Sequence, residues 1–136
     1  MKRKLFYSFI ALLLGLPALV HAQTPAGPVI YTNWIPLPEN SQNIEIEYRV
    51  IKCDAIAQVH IFLFNETMSD KNVQLTVEIT NNDSNEKITK DISFQTSKLS
   101  MYKALCESDA SLNALKVDLP AAYNPANVTV KITIKP

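Results

Sequence analysis

The stretch CDAIAQVHIFLFN, residues 53–65, decides how the rest of the chain is read. From Val59 to Phe64 it is apolar almost without interruption, so a strand here has no fully wet face. Val59, Ile61 and Leu63 point one way and Phe62 and Phe64 the other, because successive side chains in a strand alternate. Both faces therefore need cover, which places the strand in the middle of a sheet within a two-layer β structure.

The segments on either side carry the alternation of half-buried strands. Upstream, Ile44, Ile46, Tyr48 and Val50 alternate with Glu45, Glu47 and Arg49, and the pattern loses its polar side at Ile51 and Cys53. Downstream, Val73, Leu75, Val77 and Ile79 alternate with Gln74, Thr76 and Glu78. Ile88, Ile92 and Phe94 continue the theme, with Lys90 breaking their parity. Leu115, Val117 and Leu119 form a short strand that Pro120 stops. Val128, Val130, Ile132 and Ile134 alternate with Thr129, Lys131, Thr133 and Lys135, and those outward lysines suit an edge strand. Ahead of all these, VIYTNWIPLPEN (residues 29–40) reads as a first strand that Pro36 and Pro38 confine to an edge, with Trp34 expected in the core.

Leu99, Tyr102, Leu105 and Cys106 fall at helical spacing behind Ser97, a residue type that caps helices, so one short helix is expected near 97–106. The expected fold is all-β: a seven-stranded antiparallel sandwich. Glycine is absent from residues 23–136 except for Gly27, so asparagine and aspartate must supply left-handed turn positions.

The chain begins Met1-Lys2-Arg3-Lys4, continues with an apolar segment from Leu5 to Val20, and reaches Val20-His21-Ala22. This is the pattern of a secretory signal peptide over residues 1–22, leaving residues 23–136 as one β-sandwich domain with no membrane insertion once the signal is removed. The mature 114 residues would carry ten basic and thirteen acidic side chains, a net charge of −3, which disfavours nucleic acid as a partner. Export places the protein in the periplasm or outside the cell. In that setting two cysteines most economically form one disulfide, Cys53 to Cys106. The rival, a reactive or metal-binding thiol pair, lacks CxxC spacing and has one mature histidine to draw on.

Seven strands with a cysteine at the end of the second and another about fifty residues later resemble an immunoglobulin-like or fibronectin-type sandwich. Relative to true immunoglobulin domains, the third strand carries Phe62 and Phe64 where a tryptophan would stand, and residue 104 is Ala. Trp34-Ile35-Pro36, Glu47-Tyr48-Arg49 leading to Cys53, and Gln58-Val59-His60 leading to Asn65 are similar to small exported single-domain proteins of Gram-negative bacteria. That resemblance implies a fold and a compartment rather than an activity.

No catalytic, cofactor or metal site is expected. His60 lies inside the central strand and reads as a scaffold imidazole. Glu45 and Glu47 lie side by side on a strand's wet face, with Arg49 next in line, and read as a solvated surface rather than a glycosidase pair. Asn82-Asp83-Ser84-Asn85-Glu86 is oxygen-rich but lacks the ligand spacing of a calcium loop and reads as a plain turn. Asn65, Asn82 and Asn127 each begin an N-x-Ser/Thr triplet, read as chance in an asparagine-rich chain. The functional expectation is a non-catalytic exported module that binds a protein or glycan, with Tyr31, Trp34 and Tyr123 as aromatic anchors. The alternative is a small secreted hydrolase or hydrolase inhibitor.

Overall fold

The computed structural model describes residues 27–136; the expected signal peptide, residues 1–22, lies outside the described residues. Among the described residues nine strands occur in chain order: β1 Val29–Ile30, β2 Ile35–Pro36, β3 Ile44–Cys53, β4 Ile56–Asn65, β5 Lys71–Asn81, β6 Lys87–Thr96, β7 Met101–Lys103, β8 Lys116–Asp118 and β9 Val128–Ile134. They form two antiparallel sheets, as the alternation predicts. The first, sheet A, has β3 and β4 at its centre, with the short β1 and β2 along the outer edge of β3 and β7 and β8 along the outer edge of β4. The second, sheet B, runs β6-β5-β9.

Each long hairpin stays within one sheet. β3 and β4 pair over their full length, from Ile44↔Asn65 to Cys53↔Ile56, and Asp54 makes the turn with φ 51°. β5 and β6 pair from Lys71↔Thr96 to Thr80↔Lys87, with Asn85 at φ 59° in their turn. Asn43, at φ 53°, stands at the entry to β3. Aspartate and asparagine thus fill three of the four left-handed positions among the described residues.

The core lies between the sheets. Ile44, Ile46, Val50, Val59, Ile61 and Leu63 of sheet A meet Val73, Leu75, Val77, Ile79, Ile92, Phe94 and Ile132 of sheet B. Burying an aliphatic side chain of this size contributes about 1.5–3 kcal/mol, so register is strongly held. A slip of one residue would turn Glu45, Glu47 and Arg49 inward. Lys90 keeps the inward parity opposite Val77 but remains exposed, its ammonium reaching the Lys116 carbonyl at 3.3 Å. It therefore sits at the open side of the sandwich rather than in the core.

Three features depart from expectation. The first strand is two fragments, because residues 31–34 leave the ladder between β1 and β2. No helix occupies residues 97–106; Leu99 has φ 50°, which interrupts any right-handed helix, and β7 follows as an edge strand on β4. Tyr102 turns inward and meets Phe94 edge to face at 5.0 Å, so tertiary pairing overrides the local helical spacing. Helical turns form elsewhere, as 3-10 segments at Ala110–Leu115 and Pro125–Asn127, each opened by a side-chain cap from Asp109 or Asn124. Finally, Trp34 is half-exposed and lies outside the core cluster.

Cys53 and Cys106 form a disulfide with Cα atoms 5.5 Å apart. Cys53 shares the outward parity of Glu45, Glu47 and Arg49, so the bridge fastens the segment after β7 over the outside of sheet A. The inter-sheet bridge of immunoglobulin domains is placed differently, across the core. A formed disulfide suits an oxidising compartment.

Candidate functional site: the outer face of sheet A

The two outer faces of the sandwich are chemically unlike. On sheet B the outward positions are Asn72, Gln74, Thr76, Glu78 and Thr80 of β5, with Thr89, Asp91, Ser93 and Gln95 on β6. They are polar throughout, and the pairs Lys87–Glu78 and Lys135–Asp91 are exposed surface bridges. On sheet A the register brings Phe62 and Phe64 of β4 to the outside beside Lys103 and Met101 of β7. Met101 has 69% of its surface free, and Leu105, two residues beyond Lys103, is also exposed. The phenylalanines are themselves half-buried, so the second face of β4 is covered by its own neighbours rather than by another layer.

Trp34 organises the centre of this face. Phe62 meets it edge to face, with ring centroids 6.4 Å apart. The Arg49 guanidinium stands 4.7 Å from the indole centroid and the Lys103 ammonium 5.0 Å. Cations at that range are attracted by the ring quadrupole. Burial lowers the Arg49 pKa from its ordinary value, and its Nε has no hydrogen-bond partner. The face is thus aromatic at its centre, with Arg49 and Lys103 at the indole, Glu47 opposite Phe62, and Met101 and Glu45 on either side of Phe64.

Next to it, at the disulfide, His60 has no exposed surface. Its Nε2 lies 2.9 Å from Gln58 Oε1 and 3.7 Å from Cys53 Sγ. Gln58 in turn donates to Asp118 Oδ1 at 2.7 Å, which orients the amide oxygen toward the imidazole. Burial, then the charges of Arg49 and Lys116, push the His60 pKa down to about 4. The backbone of Ala104 works in the opposite sense, but no acceptor meets Nδ1 in hydrogen-bonding geometry. His60 is therefore neutral at physiological pH and is built into the scaffold.

The three expected aromatic anchors do not converge. Tyr31 and Tyr123 line one cleft of about 250 Å3 with Lys52, Ile56, Leu119 and Pro125, while Trp34 lies on the outer face of sheet A. Tyr123 is almost wholly buried; its hydroxyl has no partner, and burial first, then Glu86, raises its pKa. A second cleft of about 490 Å3 lies between Leu37, Asn40, Asn43, Glu45 and Glu66. In the loop 82–86, Asn127 donates to Asp83 and the Ser84 hydroxyl accepts from Glu86 N–H, so side chains there serve the turn itself. Asn65 is fully buried, with its amide donating to the carbonyls of Ser69 and Ser97. That makes it a structural residue of the loop after β4, whereas Asn82 is exposed.

Sequence reasoning named Trp34 but missed Arg49, Phe62, Met101 and Lys103 as its companions. The available signal was the apolar outward pair Phe62 and Phe64, which implies an unusual outer face once β4 is paired with β3. Among the described residues, no helix is long and apolar enough to cross a membrane. Neither a protein-family model, nor a curated protein, nor a solved structure matches the chain.

Proposed function

We propose that this chain is a non-catalytic exported module, periplasmic or extracellular, that binds a partner protein through the outer face of sheet A. The observation that carries the reading is the contrast between the two outer faces. One is polar at every β5 position, while the other sets Trp34, Phe62 and Met101 among Arg49 and Lys103. Aromatic, methionine and arginine side chains are the types enriched where proteins bind proteins. A sugar would need a free aromatic face to stack on, and two cations already stand at the indole of Trp34. A protein partner with an apolar centre and charges of both signs around it fits this face better. A secreted hydrolase is less well supported, because the buried His60 contacts an amide oxygen and a cystine sulfur rather than a nucleophile or a carboxylate.

The test is capture from an envelope extract of the source cells, using oxidised mature protein as bait and a matched set of variants. Met101→Asp and Trp34→Ala should weaken capture of the same partner at least tenfold, while Gln74→Asp and Thr133→Asp on the outside of sheet B leave it unchanged. Equal capture by all four variants would remove the outer face of sheet A from consideration. Saturable binding to a glycan array, or turnover of a glycan or peptide panel, would replace the reading altogether.

A further inference from the structure

The corner where the disulfide meets β4 holds three potential ligand atoms that the proposed partner-binding face does not use. The Sγ atoms of Cys53 and Cys106 and a ring nitrogen of His60 all lie within 4.8 Å of one another. His60 is fully buried, and its approach to Cys53 is through Nε2 at 3.7 Å. Both cysteines are only half-buried, so a reductant can reach the sulfur pair while the imidazole stays beneath it.

We propose that reduction of the Cys53–Cys106 bond by a dithiol turns this corner into a binding site for a thiophilic d10 cation, zinc(II) in the first instance. The ligands are Cys53 Sγ, Cys106 Sγ and His60 Nε2. Two thiolates and one imidazole are the soft-plus-borderline set that such ions select. The dithiol supplies two electrons and two protons, is itself oxidised to a disulfide, and leaves two thiols in the protein. Zinc then displaces the two thiol protons. The proton on Nε2, which the disulfide form donates to Gln58, moves to Nδ1 on the side of the Ala104 backbone, and the Gln58 amide turns away to free Nε2, so the imidazole remains neutral.

The required movement is small. With zinc–sulfur bonds of about 2.3 Å, the sulfurs of a tetrahedral site stand about 3.8 Å apart. Side-chain rotation can supply that separation, because the Cα atoms are already 5.5 Å apart on the partly exposed outer side of sheet A. His60 is the fixed member, held in the centre of β4 between its β3 partner Arg49 and its β8 partner Lys116. The fourth position is left to water or to a ligand from solution.

The test uses mature protein, oxidised or treated with a dithiol that is then removed without air, and titrated with zinc(II) or with cobalt(II) as its coloured stand-in. The reduced protein should take up one ion per chain, show a sulfur-to-cobalt charge-transfer band, release two protons per zinc, and melt at a higher temperature with zinc than without. The oxidised protein should do none of these. His60→Gln should weaken the affinity of the reduced form at least tenfold, with the melting of the oxidised variant reporting whether it folds. Should that variant fail to fold, the His60 ring-nitrogen resonance in the reduced wild type decides: it must move when zinc is added. If reduction unfolds the chain, zinc must restore the folded near-ultraviolet spectrum. The proposal is overturned by a reduced protein with neither a charge-transfer band nor a zinc-dependent melting shift. An affinity indifferent to His60→Gln in a folded variant, or an unmoved His60 resonance, overturns it equally.

Discussion

Acid should weaken this fold through one residue. His60 is neutral and buried, with its pKa pushed down to about 4 by burial and by the neighbouring cations. In the unfolded chain the same imidazole titrates near 6.5. As pH falls below about 6.5 the unfolded chain takes up a proton that the native protein refuses until about pH 4, so stability declines through that window and is flat on either side of it. A gap of about 2.5 pH units corresponds to about 3.4 kcal/mol at most. The side chain lies under a thin cover, with the half-exposed disulfide beside it, so solvent screening reduces the effect to on the order of 2 kcal/mol at about pH 4.5. Urea unfolding of the wild type and of His60→Leu, each at about pH 7 and about pH 4.5, isolates the contribution. The wild type should lose about 2 kcal/mol more than the variant between the two pH values, whatever the variant's stability at neutral pH. Equal losses would show that His60 is not the titrating group and that the burial argument is wrong.

Removing the disulfide by Cys53→Ala/Cys106→Ala should cost about 4 kcal/mol, because a cross-link spanning 53 residues restricts the unfolded chain; calorimetry should show the melting point lowered by about 15 °C. Methyl resonances of Val73 and Ile79 should stay in place, since the bridge lies outside the core; their collapse would contradict that placement. Leu99 holds a left-handed conformation that costs a branched residue about 1 kcal/mol, so Leu99→Asn should raise stability by about 0.5 kcal/mol in denaturant titration. Leu75→Ala, at a fully buried position in the middle strand of sheet B, should cost about 2–5 kcal/mol, read from the same titration.

Period-two alternation made β3, β5 and β9 legible, because Ile44, Ile46, Val73, Leu75 and their neighbours obey the local rule that burial on one face imposes, while β4 stood out by its unbroken apolar run. The pairing of Cys53 with Cys106 was also legible, from the cysteine count and the expectation of export. What the bridge covers was not, since strand parity fixes the side of Cys53 only after β3 has been aligned with β4. The short strand β7 escaped because three residues are too few to show a period, and Leu99, Tyr102 and Leu105 mimic a helix. Trp34 was assigned to the core on the general preference of tryptophan for burial. Its observed place depends on Arg49, Phe62 and Lys103, which are far apart in sequence and meet only through pairings in sheet A.

The connectivity of sheet B bears on how the chain reaches its native state. β5 and β6 can zip together as a local hairpin, but the other edge of β5 has no partner until β9 arrives, so that Leu75↔Ile134 and Asn81↔Val128 close across some fifty residues. Contacts of such span form late, after the entropy of closing the intervening loop has been met. In the interval the apolar side of β5 and its free backbone edge are open to pairing with a second chain. Lys131 on β9 and Lys135 just after it give that last strand charge along its outward side, so slow closure and resistance to strand exchange are handled by the same end of the chain.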